Sequence, residues 1–99
     1  MTVSYLAQGR FSKPYLLIWH PAQHVGAWYD RRLQLRATDI SPELLEFART
    51  FARKAHPWND IADIELPRWT QTAPLDDCVC FWLYDDSCSA DDLARIPGA

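Results

Sequence analysis

The spacing of hydrophobic residues changes near residue 40, and this change predicts where strands give way to a helix. Between residues 40 and 57 the apolar positions recur at intervals of three and four, which is the spacing of one buried helical stripe. Ser41 suits the N-cap, and Pro42 suits the first helical position because the N–H that proline lacks would have no partner there. The sequence therefore predicts a main amphipathic helix over residues 41–55, with Phe51 in its buried stripe. On that interpretation Phe51→Ala would cost about 3–5 kcal/mol.

Strand patterns flank the predicted helix on both sides. Val3–Gln8 and residues 27–37 alternate between apolar and polar positions, as half-buried strands do. Tyr15–His20 and residues 78–84 are continuous apolar runs too short for an ordinary helix, so we expect them to be strands covered on both faces. Residues 61–66 carry a weaker strand pattern.

These elements define an α+β fold. We expect an antiparallel sheet of about four or five strands with the helix over residues 41–55 packed on one face. Ser89, with Asp92 three residues later, resembles a capping box and predicts a short C-terminal helix that places Leu93 and Ile96 against the body. At 99 residues the chain is expected to form a single domain over residues 1–99.

Composition narrows the class of protein. Apolar residues make up 48% and charged residues 23%, which is typical of globular proteins. The sequence shows neither a secretory leader pattern nor an apolar run long enough to cross a membrane, so the expected location is the cytoplasm. Eight arginines against two lysines, together with abundant Ala, Asp and Pro, are typical of GC-rich bacterial or bacteriophage coding sequences.

Charge is unevenly distributed along the chain. Residues 1–58 carry eight cations and four anions, whereas residues 59–99 carry two cations and nine anions, giving the chain a net charge of −3. A net negative charge disfavours direct nucleic-acid binding, because few cations are available to displace counterions from phosphates. The acidic last third instead suits a protein partner with a basic, nucleic-acid-binding surface.

Side chains capable of chemistry are present, but their spacing is poor. His20, His24, Cys78 and Cys80 could supply four zinc ligands, although Pro21 prevents the two histidines from sharing a helix face. Cys88 could act as a nucleophile with one of the histidines at 20, 24 and 56, although a reactive cysteine needs an electropositive setting and four aspartates lie nearby. In both cases the alternative is a buried structural cysteine. We therefore expect no catalytic residues, no metal and no cofactor.

Five tryptophans are the compositional oddity. Trp19 and Trp82 lie in apolar runs and are expected in the core. Trp28, Trp58 and Trp69 fall at a polar strand face or in loops, where tryptophan either anchors a partner or packs beneath a loop. The residues expected to bind a partner are these three tryptophans and two aspartate pairs: Trp28, Trp58, Trp69, Asp76, Asp77, Asp85 and Asp86.

The leading functional hypothesis is a small non-enzymatic protein-binding module. Its profile suits an inhibitor or antagonist of a bacterial or phage partner, such as an immunity protein or an anti-CRISPR. One alternative is a ligand-binding or enzymatic domain with an aromatic pocket near Trp28, Trp58 or Trp69, and with His24, His56 or Arg32 as polar groups. The other is a structural subunit of a homo-oligomer, for which a homodimer is the simplest form.

Overall fold

Six strands form one mixed sheet in the computed structural model, which describes residues 3–9, 11–57 and 64–96. The strands lie in the order β4-β3-β2-β6-β1-β5, and every pairing is antiparallel except that of β1 with β6. The elements are β1 (Val3–Gln8), β2 (Tyr15–His20), β3 (Val25–Tyr29), β4 (Leu35–Ala37), α1 (Pro42–Phe51), β5 (Ala52–Pro57), β6 (Val79–Tyr84) and α2 (Ala90–Ala94). The α+β class predicted from the sequence is confirmed, with more strands than expected.

The two continuous apolar runs form neighbouring interior strands. β2 and β6 pair antiparallel, with Leu16 opposite Trp82 and Ile18 opposite Cys80. A strand that is covered on both faces needs apolar side chains at odd and even positions, which explains why neither run alternates. Leu16, of β2, has no exposed surface, and Trp82, of β6, is 5% exposed. Trp19 is also buried, so both tryptophans expected in the core are there.

A hydrophobic core lies on each face of the sheet. On one face α1 packs over β1 and β6, where Ala48 meets Leu17 and Phe81. On the other face the segment 64–77 and the C-terminal α2 cover Ile18, Trp82 and their neighbours. Ser89 caps α2 by accepting a hydrogen bond from the Asp92 N–H at 3.2 Å, as its sequence predicts.

The main helix is shorter than predicted. It begins at Pro42, behind a Ser41 cap whose Oγ accepts a hydrogen bond from the Leu44 N–H at 3.1 Å, but it ends at Phe51 instead of residue 55. Ala52–Pro57 forms the edge strand β5, paired with β1. Without β5 the backbone of β1 would be unpaired along one side. Ala, Arg and Lys favour a helix, but by less than the free energy of pairing this strand backbone.

Phe51 lies outside the core, which corrects the expectation for its side chain. Its side chain is 42% exposed, and its ring touches that of Phe47, with 4.7 Å between the ring centroids. The helix ends at this residue, so the later positions of the predicted stripe belong to β5 and do not extend a buried helical face around Phe51. Loss of the Phe51 ring therefore removes far less buried area than the helical pattern suggests.

Two strand predictions also change. Residues 27–37 were expected to form one strand, but they contain the end of β3, a turn over residues 30–34 and then β4. Residues 64–66, the described part of the weak strand pattern at 61–66, do not form a strand, and residues 61–63 lie outside the described ranges. Among the described residues there is no helix long and apolar enough to span a membrane.

A hydrogen bond from Tyr29 links the segment after residue 63 to the sheet. The contribution of Tyr29 to stability should depend on pH. Its side chain is fully buried, and its hydroxyl donates a hydrogen bond to the Glu65 carbonyl at 2.8 Å. Burial, with a smaller effect of the Glu65 charge, raises the pKa of Tyr29 to about 12 from its ordinary 10.0. The folded state therefore binds this proton more tightly than the unfolded state does, so its contribution to stability is complete below pH 10 and is lost as pH rises towards 12.

We expect Tyr29→Phe to lower the free energy of unfolding by about 1 kcal/mol at neutral pH, through the lost hydrogen bond. The variant should also lose less stability than the natural protein between pH 10 and pH 12. Urea melts of both proteins across this range measure the two effects. Parallel loss of stability in the two proteins above pH 10 would contradict the assignment to Tyr29.

Candidate binding groove

An open groove lies on the helix-bearing face of the sheet, beside α1. The helix covers β1 and β6, whereas the same face of β2, β3 and β4 is left uncovered at one end. Two cavities of about 470 and 460 Å³ lie there, and both are lined by Lys13, Tyr15 and Trp28. The three shared residues make the cavities one continuous depression, which we call the aromatic–cationic groove. Its lining is Phe11, Ser12, Lys13, Tyr15, Trp28, Asp30, Arg31, Arg32, Gln34, Arg36, Leu44 and Leu83.

Aromatic rings form the floor of the groove. Tyr15 and Trp28 lie on neighbouring strands with their ring centroids 5.2 Å apart and their planes at 63°. Phe11 meets Tyr15 edge-on at 5.7 Å and Phe47 at 5.3 Å. Edge-to-face contacts at these distances are favourable, so the rings fix one another in place. The result is a rigid apolar surface with half-buried Tyr15 and Trp28 at its centre.

The loop that carries Phe11 and Lys13 is held to the body of the protein by backbone contacts. The Phe11 N–H donates to the Gly9 carbonyl at 2.6 Å, and the Cys88 thiol donates to the Phe11 carbonyl at 3.3 Å. Pro14, directly after Lys13, is fully buried. The loop therefore forms a fixed wall of the groove, and Cys88 is a buried thiol that supports this wall.

A tight turn between β3 and β4 holds the cations of the opposite wall. The Asp30 carboxylate accepts hydrogen bonds from the N–H groups of Arg32 at 2.9 Å and Gln34 at 3.0 Å, while the Leu33 N–H donates to the Asp30 carbonyl at 2.8 Å. Leu33 has a φ of 60°, which L-residues rarely adopt, and its side chain packs on the core. These contacts over-determine the turn, so the backbones of Arg31 and Arg32 are well fixed.

The groove is positive although the chain is negative. Lys13, Arg31, Arg32 and Arg36 line it, against the single carboxylate of Asp30. Arg36 reaches the groove because it alternates with Leu35, which packs on the other face. Arg31 lies 3.7 Å from Asp92, but in the described ranges no ion pair engages the other three cations. Three free positive charges therefore surround an aromatic floor.

The two described tryptophans expected to bind a partner have different environments. Trp69 is half-buried against the core, and its indole N–H donates to the Gly26 carbonyl at 3.0 Å, so it packs beneath its loop. The Trp28 indole N–H and the Tyr15 hydroxyl make no hydrogen bond to any described residue, and both side chains line the groove. Trp28 therefore has the better geometry for recognition. Trp58 lies outside the described residues.

The four aspartates expected to bind a partner do not form one surface. Asp76 and Asp77 precede β6 and Asp85 and Asp86 follow it, so a strand of six residues, about 20 Å long, separates the pairs. Asp85 accepts a hydrogen bond from the Ser87 N–H at 2.8 Å, and Asp86 accepts one from the Gln8 amide. Asp85 thus stabilises the local turn and Asp86 joins it to the end of β1, whereas Asp76 and Asp77 are exposed at the other end of the sheet.

An imidazole approaches a carboxylate at that other end, and a thiol follows the carboxylate in sequence. His20 is buried, and its Nε2 lies 4.0 Å from Asp77 Oδ2 without a hydrogen-bond partner among the described residues. Its Nδ1 accepts from the Gln23 N–H at 3.2 Å, which places the proton of the neutral ring on Nε2. The Cys78 thiol points to the Pro74 carbonyl at 3.6 Å, and burial, with the Asp77 charge, raises its pKa to about 11. This thiol is protonated at neutral pH, so the cluster lacks an activated nucleophile.

The zinc hypothesis finds no support in the described geometry. Within residues 3–9, 11–57 and 64–96, no three His, Cys, Asp or Glu side chains are placed to hold a metal ion. His24 is exposed and its ring meets that of Trp19, whereas Cys80 is fully buried and burial raises its pKa strongly. Cys78 and Cys80 behave as small core residues, which is the alternative that the sequence left open.

Trp28 and Arg32, two of the residues that the sequence suggests for an aromatic pocket, line the groove, whereas the sequence does not suggest Phe11, Lys13, Tyr15 and Arg36. Tyr15 belongs to a continuous apolar run, which predicts a strand covered on both faces. The one usable signal was the alternation that puts Arg36 and Trp28 on the same side of their strands.

Comparison of the chain with known protein families, characterised proteins and solved structures found no match. The case for function therefore depends on the groove itself.

Proposed function

We propose that the protein is a non-enzymatic protein-binding module and that the aromatic–cationic groove is its binding site. One observation supports this proposal most directly: half-buried Trp28 and Tyr15 and arginines without a carboxylate partner among the described residues line the same open depression. Tryptophan, tyrosine and arginine are the residues that most often dominate binding energy at protein interfaces. An antagonist that covers a partner's surface needs such anchors and no reactive group.

The rigidity of the groove supports a role in binding. The aromatic rings fix one another, the Phe11 loop is held by Cys88, and the turn with Arg31 and Arg32 is held by Asp30. A surface that is already ordered loses little conformational entropy when a partner docks. The groove therefore suits recognition of a partner without rearrangement of its walls.

The charge of the groove alters the expected partner surface. The sequence suggested an acidic surface for a basic partner, but the aspartates at 76–77 and at 85–86 lie at opposite ends of β6. The groove presents Lys13, Arg32 and Arg36 instead, so under this proposal the part of the partner that it contacts is acidic.

A small ligand is the second candidate, because the volume of each cavity lies in the range of about 300–1,000 Å³ that is typical of ligand sites. Trp28 and Arg32, which the sequence suggested for an aromatic pocket, line the same cavity. An anionic aromatic compound would fit this chemistry. Binding of such compounds in a screen, with Trp28 fluorescence as the signal, would favour this candidate over a protein partner.

A photo-crosslinking experiment tests the protein-binding proposal. A benzophenone amino acid replaces exposed Ser12 in the groove wall or, as the control, exposed Arg49 on α1. In bacterial cells we expect a discrete protein adduct from position 12 only, reduced about tenfold or more by Trp28→Ala. Phe51→Ala, which removes an exposed ring outside the groove, should leave the yield unchanged.

Circular dichroism establishes that each variant is folded, and Arg32→Glu tests the same surface without removing an aromatic ring. Equal adducts from positions 12 and 49, or an adduct that survives both Trp28→Ala and Arg32→Glu, would contradict the proposal. An adduct of twice the mass of the chain would identify a second copy as the partner and would favour the homo-oligomer hypothesis.

A further inference from the structure

We infer that the groove recognises a short, extended acidic segment of its partner that carries one bulky apolar residue. This inference rests on the proposed function and names the chemistry of the partner. It follows from the order of features along the groove, where an apolar cavity and a cationic cavity meet at Lys13, Tyr15 and Trp28.

The apolar cavity provides the site for the bulky residue. Phe11, Leu44 and Leu83 line it together with the two central rings, and none of the residues that line only this cavity is charged. An aromatic or leucine side chain would bury its surface against these walls. Burial of a large apolar residue in a pocket is the usual source of affinity when a peptide docks into a groove.

The cationic cavity provides the sites for the acidic residues. Lys13, Arg32 and Arg36 have no carboxylate partner among the described residues, whereas the Asp30 carboxylate is engaged by two backbone N–H groups. Unpaired arginines suit carboxylates because the guanidinium group can donate two parallel hydrogen bonds to one carboxylate. The free Trp28 N–H and Tyr15 hydroxyl can donate to the backbone of the segment at the boundary.

The overall charge favours a short acidic peptide over nucleic acid. The chain carries a net −3, and the exposed aspartates at 76–77 lie at the far end of the sheet from Tyr15, which is at the centre of the groove. A long polyanion would gain attraction in the groove and meet repulsion beyond it. An extended segment places alternate side chains about 6.6 Å apart, so acidic residues within two positions of the apolar residue would reach the cationic cavity.

Selection from a random peptide library displayed on phage tests the inference with the full chain as bait. We expect the enriched peptides to share one aromatic or leucine residue. At least one Asp or Glu should lie within two positions of it, either before or after it in the peptide. Binding of the enriched peptides should fall about tenfold or more with Trp28→Ala, and about twofold to fivefold with Arg32→Gln or Arg36→Gln alone. The matched control Arg49→Gln removes an exposed arginine outside the groove and should have no effect.

Charge reversal provides the second measurement, and it does not depend on the loss of an aromatic ring. Arg32→Glu with Arg36→Glu should reject the selected acidic peptide and bind its counterpart in which each acidic residue is replaced by lysine. Circular dichroism confirms that the double variant is folded. Recovery of binding by the matched charge swap would locate the acidic residues of the peptide at these two arginines.

Three outcomes would overturn the inference. Enriched peptides that depend on Trp28 but lack acidic residues would refute the acidic segment and leave the protein-binding proposal standing. Enriched peptides that bind the Trp28→Ala protein equally well, or no enrichment at all, would refute the groove as a peptide site. Failure of the photo-crosslinking experiment in cells would instead count against the proposed function, whichever peptides are selected.

Discussion

Replacing Phe81 by alanine is expected to cost about 3–5 kcal/mol, which is a large part of the 5–15 kcal/mol that typically stabilises a small domain. Phe81 lies in the interior strand β6, is 4% exposed, and stacks on Tyr5 with 5.9 Å between the ring centroids. Its neighbours belong to strands paired on both sides of β6, so they can move little to fill the space that the ring leaves.

Phe51→Ala is the matched control for this prediction, because it is the same substitution at an exposed position. The Phe51 ring touches Phe47, is 42% exposed and belongs to neither hydrophobic core, so we expect a cost of about 1 kcal/mol or less. Urea melts of the two variants give both values. A larger loss for Phe51→Ala than for Phe81→Ala would mean that α1 continues past residue 51 and that the helical pattern, instead of the sheet, determines the core.

Gly26→Val is the second substitution with a large expected effect, about 3 kcal/mol or more. A Cβ atom on Gly26 would lie 2.7 Å from Ile40 Cγ1, 2.8 Å from Trp19 Cε3 and 2.9 Å from the Ile18 carbonyl oxygen. The first two contacts are with side chains that close over β3, but the third is with backbone of the paired strand β2, which cannot move away. Gly26→Ala adds only the Cβ atom and should cost about 1–3 kcal/mol.

A double-mutant cycle separates this crowding from a general loss of strand stability. Ile40→Ala removes the closest of the three atoms, so Gly26→Ala combined with Ile40→Ala should cost less than the sum of the single substitutions. Thermal or urea melts of the four proteins measure the coupling. Strict additivity would show that Ile40 does not limit the space at Gly26.

The two interior strands and the start of the helix could be predicted because each has a strong local signal. β2 is an apolar run bounded by Pro14 and Pro21, and β6 is an apolar run that Asp85 and Asp86 end. Ser41 and Pro42 mark one helix start with two independent preferences. Signals of this kind depend on a few neighbouring residues, so the rest of the fold does not override them.

The end of the helix could not be predicted because a distant strand determines it. Residues 52–57 favour a helix by composition, yet they pair with β1, which lies far away in sequence. The turn at residues 30–34 could not be predicted for a similar reason. Leu33 takes a left-handed conformation there, and the sequence would have indicated such a turn only if glycine or asparagine stood at that position. In both places a tertiary contact outweighs a weak local preference.

The candidate groove was less predictable than the fold. Its floor joins Tyr15 of β2 to Trp28 of β3, and its walls come from the Phe11 loop, α1 and β4, which no sequence spacing brings together. From the sequence alone, Trp28 and Trp69 are equally good candidates for binding a partner. Only the hydrogen bond from Trp69 to Gly26 distinguishes a packed tryptophan from an available one.

The parallel pairing of β1 with β6 has a consequence for biosynthesis. Val3 pairs with Val79 and Gln8 with Tyr84, so β1 leaves the ribosome well before β6, and its inner edge has no strand partner until β6 has been synthesised. The β2–β3–β4 meander needs only neighbouring residues and can assemble much earlier. Nascent chains that are stalled before β6 has emerged should therefore leave the inner edge of β1 open to cleavage or to chaperones.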